Sequence, residues 1–347
     1  LISVLVNAYN YGPFVVDAVQ SALEQTLAAC EVIVVDDGST DNTTQLLEER
    51  FGSNPLVKII RQRNGGQLAA FVTGIEHASG DILCFLDADD LYEPNHLEAV
   101  AAAFAKDASV DFVFTAHKTF GNEDRVVQQA PEDVVLGFSL IAALKIMLFV
   151  GSVTSTLAMR RRLVLAFLPV LRQAAPLWRI RADDCLVYGA SFAAAKKLYL
   201  AAPTVRYRIH EKNAFAGAAD SRNEGFSHNY RRQTLAHLLE DHLGIGDSMY
   251  LDLVTEFRSV ERPTRLMYGI YCRLNRVINK SLLRRLKARV RLDQHFHAHK
   301  ATWNETQYSA FLGRRRRALR IRGSTAVHRA CDSTKEKAGR SAVRGRL

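Results

Sequence analysis

Apolar residues along the first third of the chain fall into two alternating patterns. Short blocks at 2–6, 31–35, 56–60, 82–86 and 110–115 are apolar and rich in β-branched residues, which predicts strands. Between them, 14–27, 43–51, 68–78 and 95–106 carry apolar residues at helical spacing. Phe14, Ala18 and Ala22, with Val15, Val19 and Leu23 beside them, show the pattern. Alternation of this kind predicts βαβ units and an α/β fold, with a Rossmann-like, mostly parallel central sheet flanked by helices. In such sheets ligands bind beyond the carboxyl ends of the strands. Asn7 to Tyr9, the pair Asp36 and Asp37, and 87–90 all follow predicted strands.

Beyond residue 120 the rhythm loosens. The pattern predicts a helix over 134–148, a strand over 153–159, a helix over 183–197 and a short strand over 205–209 ending at His210. Helices are expected at 229–243 and 248–260. The apolar run 140–159 is broken by Lys145, Gly151 and several hydroxyls, so it reads as buried protein rather than a membrane span. The segment 279–292 sets Leu282, Leu283, Leu286 and Val290 among Arg284, Arg285, Lys287, Arg289 and Arg291. Residues 323–347 are rich in Gly, Ser, Ala and Arg, and disorder is expected there.

At 347 residues the chain is long enough for one large domain or two, and its 48% hydrophobic share suits a globular core. The net charge of +10 is uneven, because residues 281–347 hold 18 Lys/Arg against 4 Asp/Glu. Basicity therefore belongs to the tail and says little about a site. The five cysteines are scattered and match no metal-ligand spacing, which argues for a reducing compartment. No charged leader precedes the first apolar block, and no signal peptide is read.

Five stretches carry candidate chemistry. FLDADD (85–90) places three acids after a strand. Asp87 and Asp89 could share one Mg²⁺ or Mn²⁺, or the stretch could be a solvated turn capping the next helix. In DDGSTD (36–41), Asp36 and Asp37 could accept hydrogen bonds from a base or ribose, or form an acidic turn with an N-cap. RNGGQ, with Arg63, Asn64 and Gly66, leads into a helix and could hold an anion or simply join two elements. Neither a P-loop nor a GxGxxG fingerprint is present. Asp183 and Asp184 open a helix, as caps or as a general base. His210 could be a metal ligand, a phosphate donor or a surface residue.

Together these stretches resemble family 2 glycosyltransferases of the GT-A fold. The resemblance covers roughly 1–215 and is carried by SVLVNAYNYGPFVVDAVQSALEQT, EVIVVDDGSTDNT, NGGQLAA, GDILCFLDADD, ADDCLVY and VRYRIHEKN. It implies an inverting, metal-dependent transfer of a sugar from a nucleotide-diphosphate sugar, by default a UDP-sugar, to a hydroxyl of a glycan or a lipid-linked or envelope precursor. By position, Tyr9 would lie against the base. Asp37, with Asp36 beside it, would hydrogen-bond the base. Asp89 would bind the metal, and Asp87 the ribose or the ion's shell. Asp184 would be the base, and His210 would touch the diphosphate or the metal. Asp183 stands where Glu is commoner, which leaves the choice between Asp183 and Asp184 open. FVTG replaces the commoner Arg-Asn-x-Gly after NGGQLAA, so a diphosphate contact would fall to Arg63 or Arg206.

The expected organisation is a catalytic domain over 1–215, with a nucleotide-binding half to about 115 and an acceptor half over 116–215. A helical extension over 216–292 and a basic, partly disordered tail over 293–347 come after it. A cytoplasmic enzyme is expected, with peripheral membrane contact through 279–292 as a further expectation. The competing classes are a nucleotidyltransferase or another nucleotide-sugar enzyme, and a non-catalytic protein that binds nucleic acid or membrane through its tail. NAYNYG stands where nucleotidyltransferases often carry a basic Gly-rich loop, and no nucleic-acid module is visible, so nucleic acid is the disfavoured partner.

Overall fold

The computed structural model describes residues 1–210, 222–246 and 253–303. The chain opens with β1 (Ile2–Ala8), α1 (Gly12–Leu23), β2 (Glu31–Asp36), α2 (Thr43–Phe51), β3 (Val57–Arg61), α3 (Gln67–His77) and β4 (Ile82–Asp87). Then come β5 (Leu91–Tyr92), α4 (His96–Lys106), β6 (Phe112–Gly121), β7 (Val126–Val127), β8 (Val134–Gly137) and α5 (Leu140–Ile146). They lead to β9 (Leu157–Arg160), α6 (Arg161–Ala174), α7 (Ala182–Phe192) and β10 (Lys197–Ile209). Four helices close the described chain: α8 (Arg222–His242), α9 (Leu253–Arg258), α10 (Arg265–Ile278) and α11 (Leu282–His299).

One sheet runs through the molecule in the order β3-β2-β1-β4-β9-β6-β10-β5. The strands β3, β2, β1 and β4 are parallel, and so are β6 and β10; β9 enters antiparallel between β4 and β6. Helices cover both faces of the parallel part, which is why β1, β2 and β4 are buried almost without alternation. Val15, Ala18, Val19 and Ala22 of α1 pack on one face. On the other, Phe71 of α3 meets Phe85 edge-on at 5.3 Å. Each fully buried Val, Leu or Phe contributes about 1.5–3 kcal/mol.

The second half departs from the expected elements. The single helix expected over 134–148 is β8 followed by α5. Gly137 breaks it at φ +64, where a Cβ would lie 2.1 Å from Ser259 Oγ. The strand expected over 153–159 begins as a tight turn at Thr154–Thr156 and becomes β9 only from Leu157. The helix expected over 183–197 stops at Phe192, and the short strand at 205–209 is the end of a 13-residue β10. The first part of the helix expected over 248–260 lies outside the described residues. The boundary drawn at 292 falls inside α11, and 304–347, with the expected disorder, lies outside the described residues.

The extension is joined to the catalytic part by a buried carboxylate. Glu256 of α9 accepts from the Ile141 and Ala142 backbone N–H groups at 2.6 and 3.0 Å, capping α5. Tyr271 of α10 donates to the same side chain at 2.7 Å.

Candidate active site

Strand register explains why distant acids meet. Asn7 at the end of β1 pairs with Asp87 on β4, and Ala8 with Asp36 on β2. The three strand ends are level, so the loops after them share one edge.

The three acids of FLDADD take three different jobs. Asp87 is half-buried; its Oδ1 accepts from Asn7 Nδ2 at 2.6 Å and from Gln67 Nε2 at 2.8 Å. Burial, then the Asp89 charge, pushes its carboxyl up to about 6, and the amide donors oppose that rise. Asp89 Oδ2 lies 3.1 Å from His210 Nε2, and its backbone carbonyl accepts from Arg208 Nε at 2.7 Å. Asp90 points inward, accepting from Ser155 Oγ at 2.6 Å and from the Arg208 N–H at 2.8 Å. It belongs to the scaffold that fastens β10 to this turn.

His210 packs against Phe14 with ring centroids 5.0 Å apart and planes tilted by 34°, and the Arg208 guanidinium lies 4.6 Å above the same ring. Burial, then the charges of Asp89, Asp87 and Asp90, holds the Tyr11 hydroxyl well above its ordinary value. Arg206 lies over Phe120 at 4.6 Å, beside Glu93 at 4.0 Å.

The DDGSTD acids are spent on the loop. Asp36 is fully buried, accepting from the Ser39 N–H at 2.9 Å and from the Thr44 hydroxyl. Asp37 accepts from Gln62 Nε2 at 2.7 Å, Gly65 N–H at 2.8 Å and Gly66 N–H at 2.7 Å. Of about four lone-pair sites on a carboxylate, three are used. These partners replace the base contact expected of Asp36, and leave Asp37 one free direction. Tyr9 is 44% exposed at the same rim, as stacking on a base requires. Its neighbour Asn10 ties the first loop to the second, accepting from the Thr40 N–H at 2.7 Å.

RNGGQ is a shaped turn. Gly66 sits at φ +94, and a Cβ there would lie 2.4 Å from Arg179 Cα. Arg179 also donates to Asn64 Oδ1, so that side chain braces the loop. Arg63 is exposed. The next residue, Gln67, bridges two parts of the site: its Nε2 reaches Asp87, and its Oε1 accepts from the Ala182 N–H at 2.9 Å.

Ala182 begins α7, whose first turn carries the acidic pair, and the two acids separate sharply. Asp184 is fully buried; Arg232 Nη2 donates to its Oδ1 at 2.6 Å, with Arg181 Nε at 3.1 Å and His228 Nε2 at 3.3 Å from its Oδ2. Burial, then the neighbouring arginine, pushes His228 down to about 3, so it stands neutral beside Asp184. Asp183 is half-buried, and burial, then the Asp184 charge, pushes its carboxyl up to about 7. Asp87 adds to that rise, which marks Asp183 and Asp87 as electrostatic neighbours. Asp184 is thus enclosed by Arg232, Arg181 and His228, and Asp183 is the more accessible of the pair. Arg232 and His228 were not legible as site residues, since nothing in their helix's pattern points 48 positions back to Asp184.

Among the described residues, no group of three or more His, Cys, Asp or Glu side chains is arranged around a single metal position. Asp87 and Asp89 nonetheless fit a hard divalent cation. They lie two positions apart at one turn, and burial, then the Asp89 charge, raises the Asp87 carboxyl, a rise that a bound cation would offset.

Known proteins resemble this chain. A profile described as Glycosyl transferase family 2 matches residues 3–167. An uncharacterized glycosyltransferase of Nostoc sp. is 33% identical over 230 residues, 64% of this chain and 69% of that protein. The chondroitin synthase of Escherichia coli is 36% identical over 127 residues; the match spans 37% of this chain but only 18% of the synthase. Among solved structures, S. aureus TarS 1-349 in complex with UDP superposes with a TM-score of 0.52 at 18% identity, covering 90% of this chain and 91% of that one. That likeness speaks to the fold. With level strand ends, an acidic turn after β4 and an acidic helix start facing it, the chain belongs to glycosyltransferase family 2 and is an enzyme of that family, transferring sugar from a nucleotide-sugar donor to an acceptor.

Proposed function

We propose that the chain is an inverting transferase that moves a sugar from a nucleotide-diphosphate sugar to a hydroxyl of a glycan or lipid-linked acceptor. One observation carries this reading. Gln67 spans the site, fixing Asp87 on the donor side and the first turn of α7, with Asp183, on the other. A carboxyl pushed up to about 7 is suited to take a proton at neutral pH.

In this mechanism the acceptor O–H gives its proton to Asp183 as its oxygen bonds to the anomeric carbon. The bond from that carbon to the diphosphate oxygen breaks on the opposite face, and its electron pair leaves with the nucleotide. Tyr9 supports the base, Asp37 uses its remaining lone-pair site on the nucleotide, and Arg63 and the Asn64–Gly66 turn face the phosphates. Asp89, assisted by Asp87, would hold a Mg²⁺ or Mn²⁺ ion, which when bound offsets charge on the leaving diphosphate. His210 stands against Asp89 at the same place. Donor binding belongs to the half up to about residue 115, and acceptor binding to the half over 116–215.

TarS was solved with UDP and with UDP-GlcNAc, which makes UDP-sugars the first donors to try. The test is nucleotide-diphosphate release from a panel of nucleotide sugars, with and without Mn²⁺. Asp89→Ala is expected to lower turnover of the best donor at least about a hundredfold. Full turnover by Asp89→Ala, or no donor turned over at all, would overturn the assignment.

A further inference from the structure

Helix α11 has a broad apolar side that the fold covers only toward its C-terminal end. Leu292 and Phe296 are buried, with Phe296 stacked at 4.5 Å on Tyr268 of α10. Leu282, Leu283, Leu286 and Val290 carry the apolar side toward the N-terminal end and are 70%, 62%, 56% and 54% exposed. Their spacing puts them within about one quadrant of the helix, on a stripe that adjoins that of the buried pair but lies toward the N-terminal end. Val277, near the end of α10, is 73% exposed. Leaving so many large apolar side chains in water in one place is unusual for a surface without a partner.

The charges beside the stripe say what that partner is. Arg284, Lys287 and Arg291 are exposed along its edge, as are Arg276 in the last turn of α10 and Lys280 in the connection to α11. The acid on this helix, Asp293, is taken up by Arg289 at 2.7 Å and by the Tyr268 hydroxyl. An apolar stripe bordered by basic side chains matches an anionic lipid surface, where apolar groups enter the acyl boundary and cations meet the headgroups. A second copy of this chain would bring the same row of cations against itself. Among the described residues no helix is long and apolar enough to cross a membrane, so the contact would lie in the interface plane.

We propose that α11 docks the enzyme on an anionic membrane surface through Leu282, Leu283, Leu286 and Val290, with Arg284, Lys287 and Arg291 against the headgroups. Docking holds whether or not the chain turns over UDP-sugars, and donor turnover measured on the same samples reports on that separately. It would bring the acceptor side of the enzyme near acceptors carried on lipid.

The test uses the full chain in co-sedimentation with phosphatidylcholine vesicles, with and without phosphatidylglycerol. Binding is expected only where phosphatidylglycerol is present. Combined Leu282→Ser, Leu286→Ser and Val290→Ser should weaken it at least about tenfold. Lys287→Glu with Arg291→Glu should weaken it by more than about tenfold, since each cation near the surface is worth about fivefold. Thermal melting and turnover with a soluble acceptor should stay at wild-type levels in both variants. Equal binding to neutral vesicles, or undiminished binding by the serine variant, would overturn the proposal. So would self-association of the wild type that the serine variant abolishes, without vesicle binding, which would assign the stripe to a second copy.

Discussion

Arg232 Nη2 lies 2.6 Å from Asp184 Oδ1, and the two side chains are 7% and 0% exposed. The acid that sequence likeness marks as the base is thus held in a buried ion pair, and its neighbour Asp183 is half-buried. Asp184→Ala should act mainly on stability, because removing one partner of a buried pair costs about 3–5 kcal/mol. Asp183→Asn should melt near the wild-type temperature and lose about 10²–10⁴-fold in kcat. Melting curves and donor turnover on both variants decide it; loss of kcat in a stably folded Asp184→Asn with little effect of Asp183→Asn would reverse the roles.

Activity should rise with pH through about 7, because a general base works deprotonated and Asp183 is pushed up to about 7. The stability trend has the opposite sign. A carboxyl with a raised folded value binds more protons in the folded state between 3.8 and about 7. Its contribution is therefore complete below the unfolded value and lost as pH rises through the folded one. In Asp183→Asn, that part of the decline in melting temperature should be absent. An unchanged pH dependence of melting in Asp183→Asn would refute the assignment.

Gly66→Ala should destabilise by about 1–3 kcal/mol, since it combines a strained backbone angle with a close approach to Arg179. The same change should weaken donor binding, because Asp37 loses a correctly placed N–H. Isothermal titration with UDP checks the second effect separately from the first.

Gln67→Leu keeps the side chain's bulk and removes two hydrogen bonds. One of them lowers the Asp87 carboxyl, so that carboxyl should rise further above about 6 in the variant. Donor KM should then increase, most strongly on the acid side of the profile. A KM that rises equally at every pH would mean that Gln67 acts only through geometry.

The donor half was legible in the sequence because its signals are local. Continuous apolar blocks mark strands buried on both faces, and the acids that end β2 and β4 mark their shared edge. The second half was harder for identifiable reasons. The apolar run from Val134 fits a helix or a strand equally, and only the contact of Gly137 with Ser259, far along the chain, separates β8 from α5. Helix α6 carries Pro169 in its interior, a residue that normally ends helices. At the site, the motifs located the acids at the strand ends and the start of α7 but not their partners. Whether Asp37 faces a nucleotide or a glycine turn, and whether Asp184 faces solvent or Arg232, depends on contacts that no local spacing encodes.

The carboxylate cap on α5 bears on how the enzyme can be divided. The N–H groups of Ile141 and Ala142 find their acceptor on Glu256, and Asp184 finds its guanidinium on Arg232, both beyond residue 215. A fragment trimmed to the residues that look catalytic would carry buried donors without an acceptor and a buried acid left with Arg181 alone as its cation. The helical extension is in that sense an internal part of the catalytic unit, and swapping it between relatives would mean exchanging these two side chains together with their receptors.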